Sequence, residues 1–84
     1  MSQILLIEKE PHPVRDITKY YLSNEHTALL CQKAFLSTVT KTIRTGELYA
    51  KGCVVYLSIP SRPDTEIIIQ QLNAQLKTFI EKTL

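Results

Sequence analysis

The sequence predicts an α/β fold, a three-layer domain with a three-stranded parallel sheet in the order 2-1-3 and a long C-terminal helix. Short apolar runs without alternation, 4–7 and 53–57, are typical of strands buried on both faces. Segments with apolar residues at helical spacing lie between such runs. A chain of 84 residues predicts a single domain, 1–84, and its 44% share of hydrophobic residues suffices for a core.

The N-terminal half is expected to form a strand, a helix and a second strand. The first strand covers 2–8, and Pro11 and Pro13 end it because proline has no N–H to donate to a neighbouring strand. A helix is predicted over 13–24, with Ser23 and Asn24 in its stop signal. The apolar run 27–32 is the second predicted strand. Apolar residues of the expected helix recur at helical spacing: Val14, Ile17, Tyr21 and Leu22.

The middle of the chain is ambiguous. Phe35, Val39 and Ile43 recur every four residues and favour a helix over 33–45. Four threonines in the same stretch are weak helix formers. Gly46 suits either the end of a helix or the turn of a hairpin.

The last part predicts the clearest strand, 52–59, followed by one helix over 65–84. Pro60 and Pro63 separate them, and either Ser61 or Asp64 can cap the helix. One broad apolar face of this helix is expected to pack on the sheet.

Composition narrows the function classes. The net charge is +2 and the pI about 8.6, with the basic residues scattered, which is weak for a nucleic-acid binder. The apolar runs are too short for a transmembrane helix, and no secretory signal is expected, so we expect a cytoplasmic protein. Two distant cysteines, Cys31 and Cys53, are expected to be reduced thiols of the core.

The order of these features resembles the receiver domain of response regulators. The run Ile4-Leu5-Leu6-Ile7 with the acidic residues after it is similar to the family's first strand and acidic pair. Ile43-Arg44-Thr45-Gly46-Glu47 is similar to the end of its second helix. The stretch from Cys53 to Pro60, followed by Pro63-Asp64, is similar to its third strand and the loop after it. The resemblance covers most of the chain and implies a receiver-like fold that docks other proteins.

The sequence departs from the family at the phosphoryl site. The resemblance places Glu8, Lys9, Glu10 and Ser58 in a degenerate receiver pocket. Ser58 stands where the family has its phosphate-accepting aspartate, and Lys9 stands at a position of the acidic pair. A lysine ammonium opposes Mg²⁺ binding, and a serine needs a base that the sequence does not identify. We therefore expect a non-enzymatic, phosphorylation-independent regulatory protein with no metal and no cofactor.

Truncation after three strands leaves an apolar strand edge, which predicts a homodimer with protein contacts as its function. The expected interface combines the third strand and the last helix: Val55, Tyr56, Ile69, Leu72, Leu76 and Phe79.

An alternative is a small nucleic-acid-associated α+β protein. In it, residues 36–59 form an antiparallel hairpin that turns near 46–51. The basic cluster Lys41, Arg44 and Lys51 then faces phosphate. A third interpretation, an enzyme that uses Ser58 or a cysteine, lacks an identified base.

Overall fold

The computed structural model describes residues 4–83, which form a four-stranded sheet with two helices on one face. The elements are β1 (Ile4–Glu10), β2 (Arg15–Leu22), α1 (Glu25–Thr42), β3 (Glu47–Lys51), β4 (Val54–Pro60) and α2 (Glu66–Thr83). A single 3₁₀ turn, Pro63–Thr65, precedes α2. The strand order is β1-β2-β4-β3, and every neighbouring pair is antiparallel.

The predicted three-stranded parallel sheet is therefore wrong. β1 and β2 form one hairpin, β3 and β4 form another, and β2 pairs with β4. No helical crossover joins β1 to β2 or β3 to β4, so neither pair can be parallel. The fold class is α+β, as in the alternative, but the predicted hairpin over 36–59 is wrong. The second hairpin runs from Glu47 to Pro60 and turns at Gly52, which has a φ of 64°.

The predicted helix over 13–24 is also wrong, because this segment is β2. Ile17, Thr18, Tyr20 and Tyr21 are β-branched or aromatic and favour a strand. Thr18, Tyr20 and Leu22 are buried at every second position on the side of the helices. The spacing of apolar residues fitted a helix by coincidence, whereas the residue types and the pairing with β1 and β4 favour the strand.

The predicted strand over 27–32 is the first half of α1. The side chain of Asn24 accepts a hydrogen bond from Thr27 N at 2.7 Å and so caps the N-terminus of the helix. Ser23 and Asn24 thus precede a helix instead of ending one. The helix predicted over 33–45 is confirmed as far as Thr42.

The C-terminal predictions agree better with the structure. The strand expected at 52–59 is β4, and the helix expected at 65–84 is α2. Two of the expected boundaries, residues 2–3 of the first strand and Leu84 of the last helix, lie outside the described residues.

The core lies between the sheet and the two helices. Phe35 of α1 and Phe79 of α2 contact each other with ring centroids 5.6 Å apart. The hydroxyl of Tyr20 on β2 donates to Asn73 Oδ1 on α2 at 2.5 Å. The buried core residues come from both helices and from β2, β3 and β4: Tyr20, Leu22, Ala28, Cys31, Phe35, Val39, Leu48, Val55, Leu57, Ile59, Leu72, Leu76 and Ile80. β1 contributes none of them.

The chain repeats one arrangement twice. β1, β2 and α1 form a strand–strand–helix unit, and β3, β4 and α2 form another. In each unit the first strand lies at an edge of the sheet and the second lies at its centre. The two units meet where β2 pairs with β4.

Candidate functional site

The outer edge of β1 combines exposed apolar side chains with a strand edge that is unpaired in the described part of the chain. Apolar residues of an edge strand normally face a core, but Leu5, Leu6 and Ile7 are 69%, 53% and 42% exposed. We name these three residues the edge patch. The patch lies on a strand of seven residues whose outer side pairs with no other strand in residues 4–83. It offers a partner both backbone hydrogen bonds and apolar surface.

The edge patch presents apolar side chains to both faces of the sheet. Leu6 lies opposite Tyr21 on the face without helices, and Ile7 lies opposite Tyr20 on the face with helices. Leu5 is an additional residue in the pairing with β2, a β-bulge between Ile4 and Leu6.

A groove of about 330 Å³ runs beside the edge patch, between β1 and α2. Ile7 and Tyr20 line its sheet side, and Ile69, Ala74 and Lys77 line its helix side. The groove thus separates the helix-side face of β1 and β2 from α2.

The opposite edge of the sheet is different. β3 has five residues, with the charged Glu47 and Lys51 at its ends. The backbone N–H of Ala50 donates to Gln32 Oε1 of α1 at 2.8 Å. A helix side chain therefore occupies a hydrogen-bonding position of β3, which protects this edge.

The sheet face without helices, named the open face, has three rows across β1, β2, β4 and β3. The first row is Leu6, Tyr21, Val54 and Lys51; the second is Glu8, Lys19, Tyr56 and Tyr49; the third is Glu10, Ile17, Ser58 and Glu47. The rings of Tyr49 and Tyr56 are stacked, with centroids 4.9 Å apart. Interaction with Tyr21 is the main cause that raises the pKa of Lys19, and Lys19 Nζ lies 5.8 Å from the centre of the Tyr21 ring.

Four charged groups of the open face form two ion pairs. Arg15 Nε donates to Ser58 Oγ at 2.6 Å, and Arg15 Nη2 lies 3.3 Å from a Glu47 carboxylate oxygen. Lys19 Nζ lies 4.0 Å from Glu10. Three cations (Arg15, Lys19, Lys51) and three carboxylates (Glu8, Glu10, Glu47) balance formally on this face.

The structure does not assemble the degenerate receiver pocket. Glu8, Glu10 and Ser58 lie on the open face, but Glu8 and Ser58 are in different rows and on strands that are not neighbours. Lys9 points to the opposite face, where its Nζ lies 2.6 Å from Asp16 Oδ1. The expected convergence required parallel strands, whose carboxyl ends share one edge.

The residues of the predicted dimer interface are buried or half-buried within the chain itself. Val55, Leu72 and Leu76 are buried in the core, and Ile69 and Phe79 are half-buried against it. Tyr56 is half-buried on the open face. The expected open edge on the third strand is wrong because β4 lies between β2 and β3.

The other candidate residues are separated as well. Lys41 and Arg44 lie near the C-terminal end of α1. The β3 strand begins just after them at Glu47, but Lys51 lies at its opposite, C-terminal end. Cys31 is buried as expected, although in α1 and not in a strand. Cys53 is exposed at the β3–β4 turn, so its expected burial is wrong.

The sequence shows that the edge patch is apolar, but it does not show whether these residues are buried or exposed in the folded chain. An apolar run without alternation fits a strand covered on both faces by its own chain, and it fits equally a strand that another chain covers. The two closely spaced prolines at 11 and 13 were the usable signal. They fit a tight hairpin loop as well as the end of a strand.

Within residues 4–83, no three His, Cys, Asp or Glu side chains are grouped to hold a metal ion. Neither described helix has the length and apolar character to cross a membrane. Comparison with protein-family models, curated proteins and solved structures finds no match to this chain, so the resemblance to receiver domains stays a prediction.

Proposed function

We propose that this chain is a non-enzymatic protein–protein interaction module that binds a strand of its partner along β1. The observation that carries the proposal is the edge patch, in which three consecutive apolar residues are exposed on an edge strand. Strand addition of this kind draws affinity from main-chain hydrogen bonds and specificity from alternate side chains.

The contrast between the two sheet edges supports the choice of β1. β3 is short, has charged ends, and has an N–H that already donates to Gln32. Proteins commonly protect their edge strands in these ways. β1 is longer, and its N-terminal half has no charged residue.

The contacts of Ser58 support a function without phosphoryl transfer. Its hydroxyl is buried and accepts a hydrogen bond from Arg15 Nε. A serine nucleophile needs an adjacent base, and a guanidinium cannot serve as one.

A labelled strand probe tests the proposal. A fluorescent peptide with the sequence of residues 4–10 is titrated with the full chain, from nanomolar concentrations upward, and binding is followed by anisotropy. We expect saturable binding that Ile7→Lys weakens at least about tenfold, since a single interface side chain is commonly worth more than 1 kcal/mol. The peptide has two carboxylates and one ammonium, so nonspecific attraction to the new lysine would strengthen binding instead.

Ile67→Lys is the matched control, because Ile67 is 67% exposed on α2. It should bind the peptide as the wild-type chain does, and circular dichroism verifies that both variants fold. Absence of binding to the wild-type chain at concentrations where it is monomeric, or equal binding by Ile7→Lys, would overturn the proposal.

A second candidate function, single-stranded nucleic-acid binding, is favoured by the tyrosines of the open face. Four-stranded sheets can stack unpaired bases on exposed aromatic rings. The cations Arg15 and Lys19 already have carboxylate partners, so this candidate ranks below the first. It predicts that a labelled oligouridine binds at low salt, with an affinity that falls steeply as salt rises and falls further in Tyr56→Ala. Absence of binding at low salt would remove it.

A further inference from the structure

We infer that the partner strand is β1 of a second copy, paired antiparallel about a two-fold axis at Ile7. This inference rests on the proposed function and names its partner. The resulting dimer has one continuous eight-stranded sheet. An axis perpendicular to the sheet keeps the faces in common, so all four helices lie on one side.

Charge limits where the axis can lie. In an antiparallel pair of identical strands, the residue on the axis lies opposite its own copy. An axis at Glu8, Lys9 or Glu10 would place like charges directly opposite each other, which is destabilising. The axis therefore lies in the apolar half of β1.

The β-bulge limits the axis from the other side. An axis at Ile4, Leu5 or Leu6 would place the bulged Leu5 at the centre of the new pairing or directly beside it. Bulges disrupt regular pairing. An axis at Ile7 uses the regular segment that begins at Leu6, with Ile7 opposite Ile7 of the second copy and Leu6 opposite Glu8 of the second copy.

The groove between β1 and α2 fits this axis. Ile7 faces the groove, and Ile69 lies on its helix wall. With the axis at Ile7, the second copy brings its own Ile7 and its own groove to the same side of the sheet. Apolar groups that the single chain leaves exposed then face each other across the axis.

The assembly closes at two chains. After β1 pairs with β1, the outer edges of the eight-stranded sheet are the two copies of β3. Gln32 of α1 occupies a hydrogen-bonding position on that edge. An interface that uses the same patch on both chains, with protected outer edges, gives a closed dimer and not a fibre.

Light scattering and crosslinking through one introduced cysteine test the inference, with Cys31 left buried in the core. The full chain carries Cys53→Ser, which removes the exposed thiol, and one of Leu6→Cys, Ile7→Cys, Glu8→Cys or the control Ile67→Cys. Oxidised glutathione accepts the two electrons and two protons that a pair of thiols releases on forming a disulfide. Directly opposite residues have Cα atoms about 4.5–5.5 Å apart, within disulfide range. Residues one position from the axis are offset by two residues, about 7 Å along the strand.

We expect a dimeric mass and a crosslinking rate for Ile7→Cys at least about tenfold above those of the other three variants. A dimer that crosslinks fastest at another position would overturn the axis. A monomer at all concentrations that still binds the 4–10 peptide would overturn the second copy as partner and leave strand addition standing. A monomer that binds no peptide would overturn both.

Discussion

The two glycines of the chain are needed for different reasons. Gly46 is buried, and a Cβ there would lie 2.8 Å from Ile43 Cγ2 and 2.9 Å from Val39 Cγ1. Gly52 has open space around it but a positive φ of 64°. Gly46 thus lets the chain pass close to the side chains of Ile43 and Val39 as it leaves α1. Gly52 instead allows the left-handed turn between β3 and β4.

We expect Gly46→Ala to lower the free energy of unfolding by about 1–3 kcal/mol, because a well-packed region accepts an added methyl group only with strain. Gly52→Ala should cost about 1–2 kcal/mol through backbone strain alone, and Gly52→Asn less, since asparagine tolerates this conformation. Urea denaturation measures all three. A wild-type stability for Gly46→Ala would show that Ile43 and Val39 move aside freely.

Buried Cys31 predicts a loss of stability at alkaline pH. Burial raises its pKa from 9.0 to about 11, so the unfolded chain loses this proton at lower pH than the folded chain does. The stabilisation is complete below pH 9 and is lost as pH rises towards 11. Burial also raises the pKa of Tyr20 above its usual 10.0, and the sign of its effect is the same.

Denaturation at several pH values between 8 and 11 checks this prediction. Cys31→Ala should fall less steeply with pH than the wild-type chain, although its cavity lowers stability at every pH. Cys53→Ala is the control, because that thiol is exposed. If the stability of wild type and of Cys31→Ala falls equally steeply with pH, the loss of stability at alkaline pH does not come from Cys31.

At the scale of elements, the second half of the chain was more predictable than the first. β4 and α2 combine residue type and periodicity that agree, so their positions follow from the sequence. In β2 the two signals conflict, and pairing on both sides with β1 and β4 decides for the strand. In α1 the residues before the helix fit a stop as well as a cap, and only the bond from Thr27 N to Asn24 distinguishes them.

The edge patch could not be predicted for a different reason. Local pattern reports that residues 4–7 are apolar, but which strand lies at the edge depends on pairings between distant segments. The degenerate receiver pocket does not form because the predicted topology was wrong. Ser58 and the acidic residues would converge only in a parallel sheet.

Gln32 gives a prediction about the protected edge. Gln32→Ala removes the acceptor of the Ala50 N–H, and we expect the hydrogen exchange of that amide to become roughly 3- to 10-fold faster. Gln32→Glu keeps an acceptor oxygen and should preserve protection. Amide exchange followed by NMR resolves this single position; unchanged exchange in Gln32→Ala would mean that the bond does not protect β3.

For the whole molecule, dimerisation couples stability to concentration. We expect the melting temperature of the wild-type chain to rise by about 3–6 °C for each tenfold increase in concentration, since association stabilises the folded state by mass action. Ile7→Lys should melt at a temperature independent of concentration, because it places like charges opposite each other on the axis, and Ile67→Lys should follow the wild type. Scanning calorimetry at three concentrations distinguishes these outcomes. A wild-type melting temperature that does not change with concentration would contradict dimerisation.

The division into two strand–strand–helix units also matters while the protein is being synthesised. A nascent chain that has emerged only through α1 contains β1 and β2 but lacks β4, the neighbour that covers the inner side of β2. Until Pro60 leaves the ribosome, the first unit has two open strand edges instead of one. Unpaired edges on partly made chains promote association between them. Neighbouring ribosomes on one messenger RNA would therefore bring these first units together at the stage when the correct partner strand of β2 does not yet exist.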